Sequence, residues 1–81
     1  MKAIINIGLK DGVLDDQGRA THHTLDTLGF GNIIKYVRVK KQIVIELTAK
    51  NIEEANMETT KMCEQLLANT VIEDYEINIE K

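Results

Sequence analysis

The stretch Ile33-Ile34-Lys35-Tyr36-Val37-Arg38-Val39-Lys40-Lys41-Gln42-Ile43-Val44-Ile45-Glu46-Leu47-Thr48 lies at the centre of the chain and decides its fold. It contains two runs rich in β-branched residues, Ile33 to Val39 and Gln42 to Thr48, and such runs are typical of strands. Only Lys40-Lys41 separates them, so we predict an antiparallel hairpin. Because the connection holds neither Gly nor Asn, it does not specify a type of turn.

The segments before this hairpin predict a strand and a helix. Apolar residues alternate along Lys2 to Leu9, which indicates a strand. Lys10-Asp11-Gly12 has the composition of a turn. Asp15 or Asp16 can cap a helix that runs from Asp16 to Leu28, and Gly29 is placed to end it.

The segments after the hairpin predict a helix and then a strand. Asn51 is a suitable helix cap, with Glu54 three residues on. The residues that follow form an apolar stripe at three- and four-residue steps: Ile52, Ala55, Thr59, Met62, Cys63, Leu66 and Leu67. Alternation from Val71 to Ile79 indicates the last strand.

The resulting order, β-α-β-β-α-β, predicts an α+β fold of the ferredoxin-like pattern, with both helices on one face of an antiparallel sheet. Several strands carry apolar residues on both faces, such as Ile4 beside Ile5, Ile33 beside Ile34 and Val44 beside Ile43. A sheet covered on one face does not need them, so we expect a homo-oligomer, either a dimer or a dimer of dimers.

Composition narrows the class of protein. With 81 residues we expect a single domain, residues 1–81. A single cysteine excludes a disulfide framework within the chain and any multi-cysteine zinc site. Aromatic residues make up only 4% and the net charge is −3, which argues against nucleic acid as a partner. No apolar run is long enough for a membrane span and no signal peptide is visible, so we expect a soluble, cytoplasmic protein without a membrane partner.

Charge is divided between the two halves of the chain. Residues 1–45 carry seven basic and four acidic groups, whereas residues 46–81 carry three basic and nine acidic groups. The halves can pair between copies or simply face solvent. The basic residues around the hairpin, including Arg38, can likewise meet an acidic partner protein or protect a sheet edge.

No group of residues predicts catalysis. His22 and His23 are adjacent on a helix and point about 100° apart, so they do not converge on one metal ion. Cys63 lies on the apolar stripe, which favours a core residue over a nucleophile. Asp15 and its acidic neighbours suit a helix cap better than a Mg²⁺ site. We therefore expect neither a catalytic residue nor a bound metal ion.

Two segments carry a resemblance beyond this patterning. Gly12-Val13-Leu14-Asp15-Asp16-Gln17-Gly18-Arg19-Ala20 leads into a histidine-containing helix that ends in Leu28-Gly29-Phe30. Residues 62–75 read Met-Cys-Glu-Gln-Leu-Leu-Ala-Asn-Thr-Val-Ile-Glu-Asp-Tyr. Together with the Tyr36–Lys41 segment, they resemble the PurS family, small subunits of phosphoribosylformylglycinamidine (FGAM) synthase, over essentially the whole chain.

The resemblance implies a non-catalytic role in purine biosynthesis. FGAM synthase converts formylglycinamide ribonucleotide, ATP and glutamine to formylglycinamidine ribonucleotide. In such complexes PurL binds ATP, with Mg²⁺, and the ribonucleotide, PurQ releases ammonia, and PurS assembles the two and limits ammonia loss. This chain would then bind no cofactor of its own, and PurL and PurQ would be its partners.

The resemblance also yields candidate contact residues, with capping or turn formation as the alternative for each: Asp15, Gln17, Gly18, Arg19, His23, Asn69 and Asp74. Arg38 is a further candidate contact, taken from the basic residues around the hairpin, with protection of the sheet edge as its alternative. Arg19 is the strongest of them, because arginine forms forked hydrogen bonds at interfaces. A different function is also compatible with the fold. An ACT-like regulatory domain would dimerise and bind a small effector such as an amino acid, which would raise its melting temperature.

Overall fold

A computed structural model describes all 81 residues, from Met1 to Lys81. It contains three strands and two α-helices, together with one 3-10 turn at Gly31–Ile33 and one π turn at Cys63–Leu67. In chain order the main elements are β1 (Lys2–Leu9), α1 (Asp16–Thr27), β2 (Lys41–Glu46), α2 (Ile52–Met62) and β3 (Glu73–Glu80).

The strands form one antiparallel sheet in the order β2-β1-β3. On β1, Ile5 lies opposite Ile43 of β2 and Ile77 of β3, which brings three apolar side chains onto one face. The predicted α+β class, with two helices and an antiparallel sheet, is confirmed. The sheet has three strands, however, and the four-stranded order is wrong for the single chain.

The predicted hairpin is not formed. Ile33 ends the 3-10 turn, and residues 34–40 pair with no strand of their own chain. The chain instead runs straight into β2. The Lys40 side chain lies against Gly8, and Arg38 Nη2 donates to the Leu9 carbonyl oxygen at 3.0 Å, so residues 38–41 continue along β1. A tight two-residue hairpin needs positive φ, which lysine adopts only at a cost.

The core lies between β1 and α2. Ile5 and Ile7 of β1 are buried on one face of the sheet, as their alternation predicts. Along α2 and into the π turn that follows it, Ala55, Thr59 and Cys63 follow each other at four-residue steps, and all three are fully buried. The apolar stripe of the second helix is therefore confirmed from Ala55 to Cys63, whereas the prediction is wrong at Ile52, which is 37% exposed at the start of the helix.

Beyond Cys63 the stripe prediction is wrong at Leu66. The Ala68 N–H donates to the Cys63 carbonyl oxygen five residues back, at 3.0 Å, which makes this turn a π turn. Because the wider turn changes the phase of the helix, the Leu66 side chain is 83% exposed. Leu67 packs against the core.

Both helix caps form as predicted. Asp15 Oδ1 accepts from the Gly18 N–H, and Asn51 Oδ1 accepts from the Glu54 N–H, each at 2.8 Å. Gly29 follows the end of α1 with φ +100°, the left-handed conformation that glycine favours. These local signals fix where each helix starts and where α1 ends.

The opposite face of the sheet is mostly polar. Asn6 on the central strand accepts from Gln42 at 2.9 Å and donates to Glu76 at 3.2 Å, so one row of hydrogen bonds crosses all three strands. Val44 of β2 is 52% exposed on this face. Neither helix is both long and apolar enough to cross a membrane.

Residues 16–40, which we call the arm, make the molecule elongated. Its extents are 50 × 26 × 14 Å and its radius of gyration is 16.2 Å, whereas about 12 Å is typical of a compact chain of this length. Within the arm, α1 packs against the 3-10 turn. Its apolar side chains remain largely open to solvent: Leu28, Phe30, Ile33 and Tyr36.

Candidate functional site

The predicted residues of the first segment meet where the arm joins the sheet. A cleft of about 600 Å³ lies between the loop after β1, the first turn of α1 and residues 36–40. Its lining includes Asp15, Gly18, Arg19, His22, Tyr36 and Arg38. Four of these come from residues 15–22, so the first two turns of α1 and its cap supply much of the site.

Asp15 joins the two sides of this cleft. Its Oδ1 atom caps α1 through Gly18, and its Oδ2 atom accepts from the Val39 N–H at 2.8 Å. These hydrogen bonds, that from Val39 first, hold the pKa of the carboxyl below its usual value, with a smaller contribution from the Arg38 charge. Asp15 is only 7% exposed, and both of its oxygens are already bonded within the chain. It therefore positions the site.

Gly18 lets α1 and the segment of residues 36–40 approach each other. A Cβ atom at this position would overlap the Val37 carbonyl oxygen and would lie 2.9 Å from Asp15 Oδ2. Only glycine fits without movement of the backbone. A glycine inside a helix is costly on its own, and this close approach explains why the sequence carries one.

Arg38 anchors the other side of the cleft. Its guanidinium donates to the Leu9 carbonyl oxygen at 3.0 Å and to that of Lys10 at 3.4 Å. Both hydrogen bonds come from Nη2, one of the three guanidinium nitrogens. Arg38 and Asp15 together fasten the base of the arm to the end of β1.

The other predicted residues of α1 face solvent. Gln17, Arg19 and His23 are exposed, and Arg19 forms no ion pair within the chain. Arg19 and His23 are four residues apart and lie on the same side of the helix. They remain free to contact another molecule.

The second predicted segment forms a tight turn before β3. Asn69 Oδ1 accepts from the Val71 N–H at 3.2 Å, and the Asn69 carbonyl oxygen accepts from the Glu73 N–H at 2.7 Å. Asn69 thus shapes the turn. The final strand begins at Glu73 rather than Val71, because this turn occupies the residues before it.

Lys10 connects the two segments, and sequence reasoning missed it. Its backbone N–H donates to the Ile72 carbonyl oxygen at 2.8 Å, and its Nζ atom lies 3.9 Å from Asp74. The two side chains are 42% and 77% exposed and their charged atoms are at the limit of an ion pair, so the pair is weak. Asp74 also shares a smaller depression with Lys40. The candidate residues from distant parts of the sequence therefore gather at one end of the sheet.

The side chains with reactive groups are not arranged for catalysis. Cys63 is fully buried, and burial raises the pKa of its thiol. The Tyr75 hydroxyl donates to Glu64 at 2.7 Å, which raises the pKa of the phenol to about 12. No three His, Cys, Asp or Glu side chains come close enough to hold a metal ion. The site offers an exposed helical surface instead, suited to binding another protein.

Comparison with known proteins gives a consistent result. Residues 2–81 match the profile of the PurS family, described as phosphoribosylformylglycinamidine (FGAM) synthase. The PurS subunit of this synthase from Methanocaldococcus jannaschii is 46% identical over 99% of this chain and 95% of its own. The subunit from Bacillus subtilis is 38% identical over 99% of this chain and 93% of its own.

Solved structures agree with the sequence relatives. The crystal structure of Methanocaldococcus jannaschii PurS, one of the subunits of formylglycinamide ribonucleotide amidotransferase in the purine biosynthetic pathway, superposes with a TM-score of 0.89 and covers 99% of this chain and 95% of that one. A chain of the PurLQS complex from Thermotoga maritima is 34% identical, with a TM-score of 0.85, and covers 95% of this chain and 93% of that one.

Proposed function

This chain belongs to the PurS family, and on that basis we propose that it couples the other two subunits of FGAM synthase in purine biosynthesis. The synthase is a ligase that makes formylglycinamidine ribonucleotide from formylglycinamide ribonucleotide, ATP and glutamine, and PurS is not its catalytic subunit. The match to PurS along residues 2–81 carries the proposal. The PurLQS assembly of a relative supports PurL and PurQ as its partners.

The residues of this chain suit an assembly role. In the proposed complex PurL holds ATP and Mg²⁺ and PurQ supplies ammonia. The carboxylate best placed near the cleft, Asp15, is occupied by two backbone N–H groups. We do not propose that this chain binds ATP or Mg²⁺. We place the complex in the cytoplasm. There the single cysteine of this chain, Cys63, stays reduced.

The candidate residues form two groups, those that contact a partner subunit and those that position them. Gln17, Arg19 and His23 are exposed and are proposed to contact PurL or PurQ. Asp15, Gly18 and Arg38 hold α1 in position for that contact. Asn69 and Asp74 hold the turn before β3 in position.

Reconstitution tests the coupling role. The chain is mixed with PurL and PurQ, and formation of formylglycinamidine ribonucleotide is followed with glutamine or with ammonia as the nitrogen source. We expect glutamine-dependent turnover only when this chain is present, while ammonia-dependent turnover by PurL changes much less. Equal glutamine-dependent rates with and without the chain would exclude the coupling role.

Substitution of Arg19 tests the contact surface. Arg19→Ala should leave the circular dichroism spectrum unchanged and prevent assembly with PurL and PurQ. Thr21→Ala is the matched control, because Thr21 is also exposed but lies about 200° around α1. Unchanged assembly of Arg19→Ala, measured by analytical ultracentrifugation, would remove Arg19 from the interface.

The ACT-like alternative is not favoured. The relatives and solved structures that match the chain over nearly its full length are PurS subunits.

A further inference from the structure

The turn between β1 and α1 contains an aspartate followed by a glycine, Asp11-Gly12, a pair that occurs nowhere else in the chain. In such a pair the backbone nitrogen of the glycine can attack the side-chain carboxyl carbon of the aspartate, because no Cβ atom shields it. Every other aspartate and asparagine precedes a residue with a side chain, which hinders the same attack. Whether the pair reacts then depends on how firmly the turn holds it.

Neither reacting group is held by the fold. None of the 13 backbone hydrogen bonds outside the helices and strands uses the Gly12 N–H or the Asp11 carbonyl oxygen. The Asp11 carboxylate forms no ion pair. Both residues are exposed, and a Cβ atom placed on Gly12 would meet nothing within 4 Å. The nitrogen and the carboxyl group are therefore both free to move.

The turn also lets the peptide plane between the two residues rotate. The Val13 N–H closes the turn by donating to the Lys10 carbonyl oxygen at 3.1 Å. Gly12 has φ +88°, as the third residue of a type II turn requires. A type I turn keeps the same closing hydrogen bond and differs mainly in the orientation of its central peptide plane. Rotation between the two forms carries the Gly12 nitrogen past the Asp11 side chain without breaking a hydrogen bond.

We propose that Asp11-Gly12 is a site of spontaneous modification in the folded protein, at which the aspartate rearranges to isoaspartate. The Gly12 nitrogen forms a bond to Cγ of the protonated Asp11 carboxyl group. The Cγ–OH bond breaks, and the hydroxyl leaves as water with the proton of the Gly12 amide.

Water then opens the five-membered ring that this step forms. Addition at Cγ returns aspartate, whereas addition at the main-chain carbonyl carbon of Asp11 gives isoaspartate, with the chain running through Cγ. One water is released and one is consumed, so no other reactant is needed. The proposal rests on the chain alone and does not depend on the proposed function.

The fold protects the other aspartates from this reaction. Asp15 is only 7% exposed, and both of its carboxylate oxygens accept hydrogen bonds. Asp16 and Asp26 lie in α1, and Asp74 lies in β3. Regular helix or strand dihedral angles fix the peptide plane that follows each of these three residues. We therefore expect the modification at Asp11 alone.

The modified turn would lie at the joint between the arm and the sheet. The Lys10 carbonyl oxygen accepts from the Val13 N–H and also from Arg38 Nη2, at 3.4 Å. Isoaspartate adds one carbon atom to the backbone between Lys10 and Val13. We expect this longer turn to lose its closing hydrogen bond and to loosen the contact with Arg38.

Ageing of the full chain in neutral buffer tests the site. Isoaspartate is measured by methyl transfer from S-adenosylmethionine with an isoaspartate methyltransferase, and it is located by peptide mass spectrometry. We expect it to accumulate at residue 11 of the native protein at a rate similar to that of the chain unfolded in guanidinium chloride. Native protein without isoaspartate at residue 11 would overturn the proposal, whether or not the unfolded chain forms it.

Asp11→Glu is the matched variant, because it keeps the charge but would need a less favourable six-membered ring. Its circular dichroism should match the wild type, and its methyl acceptance after ageing should fall to background. Undiminished methyl acceptance in this variant would place the reaction elsewhere and contradict the proposal.

Hydrogen exchange on the aged wild type measures the effect on the turn. Peptides that contain aspartate or isoaspartate at residue 11 separate by chromatography, so both forms are compared within one sample. The Val13 N–H should exchange faster in the isoaspartate form. Equal exchange in the two forms would show that the longer turn keeps its hydrogen bond, against the expected loosening.

Discussion

Replacement of Gly18 by alanine should destabilise the protein, although the same change stabilises most helices. An alanine inside a helix is ordinarily favoured over glycine by about 0.8–1.0 kcal/mol. At this position the new Cβ atom would overlap the Val37 carbonyl oxygen and approach Asp15 Oδ2 to 2.9 Å. Both are fixed, one as backbone and the other through its hydrogen bonds.

The size of the effect follows from these opposing contributions. Forcing one extra carbon into a rigid, packed site costs about 1–3 kcal/mol. After the gain in helix propensity is subtracted, we expect a net loss of about 1 kcal/mol in the free energy of unfolding. For a domain of 60–100 residues this lowers the melting temperature by about 4–8 °C.

Thermal unfolding followed by circular dichroism measures this change, at one fixed protein concentration because association shifts the melting temperature. Gly8→Ala is the matched control. A Cβ atom there would meet only the flexible Lys40 side chain, at 3.0–3.2 Å, so its stability should stay the same or rise. Hydrogen exchange at the Val39 N–H should quicken in Gly18→Ala alone. If Gly18→Ala melts higher than the wild type, the close contact between α1 and residue 37 does not exist.

Three further outcomes follow from single residues. The pKa of Asp15 is lowered from 3.8, so its charged form stabilises the fold above that pH, and this contribution is lost as the pH falls through the lower folded pKa. The difference in melting temperature between wild type and Asp15→Asn should therefore shrink from pH 7 to pH 2.5. A difference that stays constant with pH contradicts this. Thr59 is fully buried and its hydroxyl has no hydrogen-bond partner, so Thr59→Val should raise the free energy of unfolding by about 1 kcal/mol in urea denaturation, while the exposed Thr60→Val should not. Cys63 should react with Ellman's reagent only after unfolding, since its thiol is buried and its pKa is raised; rapid labelling of the native protein would show that it is accessible.

Local signals in the sequence were sufficient for several elements. The alternation along Lys2–Leu9 predicts β1 with its observed bounds, and Asn51 caps α2 as predicted. In these cases the residues that set the structure lie within a few positions of one another. Boundary shifts elsewhere are small, as at β2, which begins at Lys41 rather than Gln42 and ends at Glu46.

The sequence-based predictions are wrong where the group that determines the local structure is distant in the sequence or absent from the chain. Residues 33–39 have the composition of a strand, but composition does not supply a neighbouring strand, and this segment pairs with none in its own chain. Leu66 fits an α-helical period that the π turn interrupts. The second half of the site could not be predicted from the sequence, for another reason. The Val39 N–H that binds Asp15 is a backbone group, and no side chain marks it in the sequence.

The π turn at Cys63–Leu67 also determines where this chain can change in length. A π turn holds one residue more than an α turn, so deletion of one residue there would leave an ordinary α-helical turn. Leu66 is 83% exposed, so its removal would take no side chain out of the core. A deletion further up α2 would instead rotate Ala55 or Thr59 away from the sheet. Among homologues, single-residue insertions and deletions in this half of the protein should therefore concentrate at residues 63–67, next to an otherwise fixed helix.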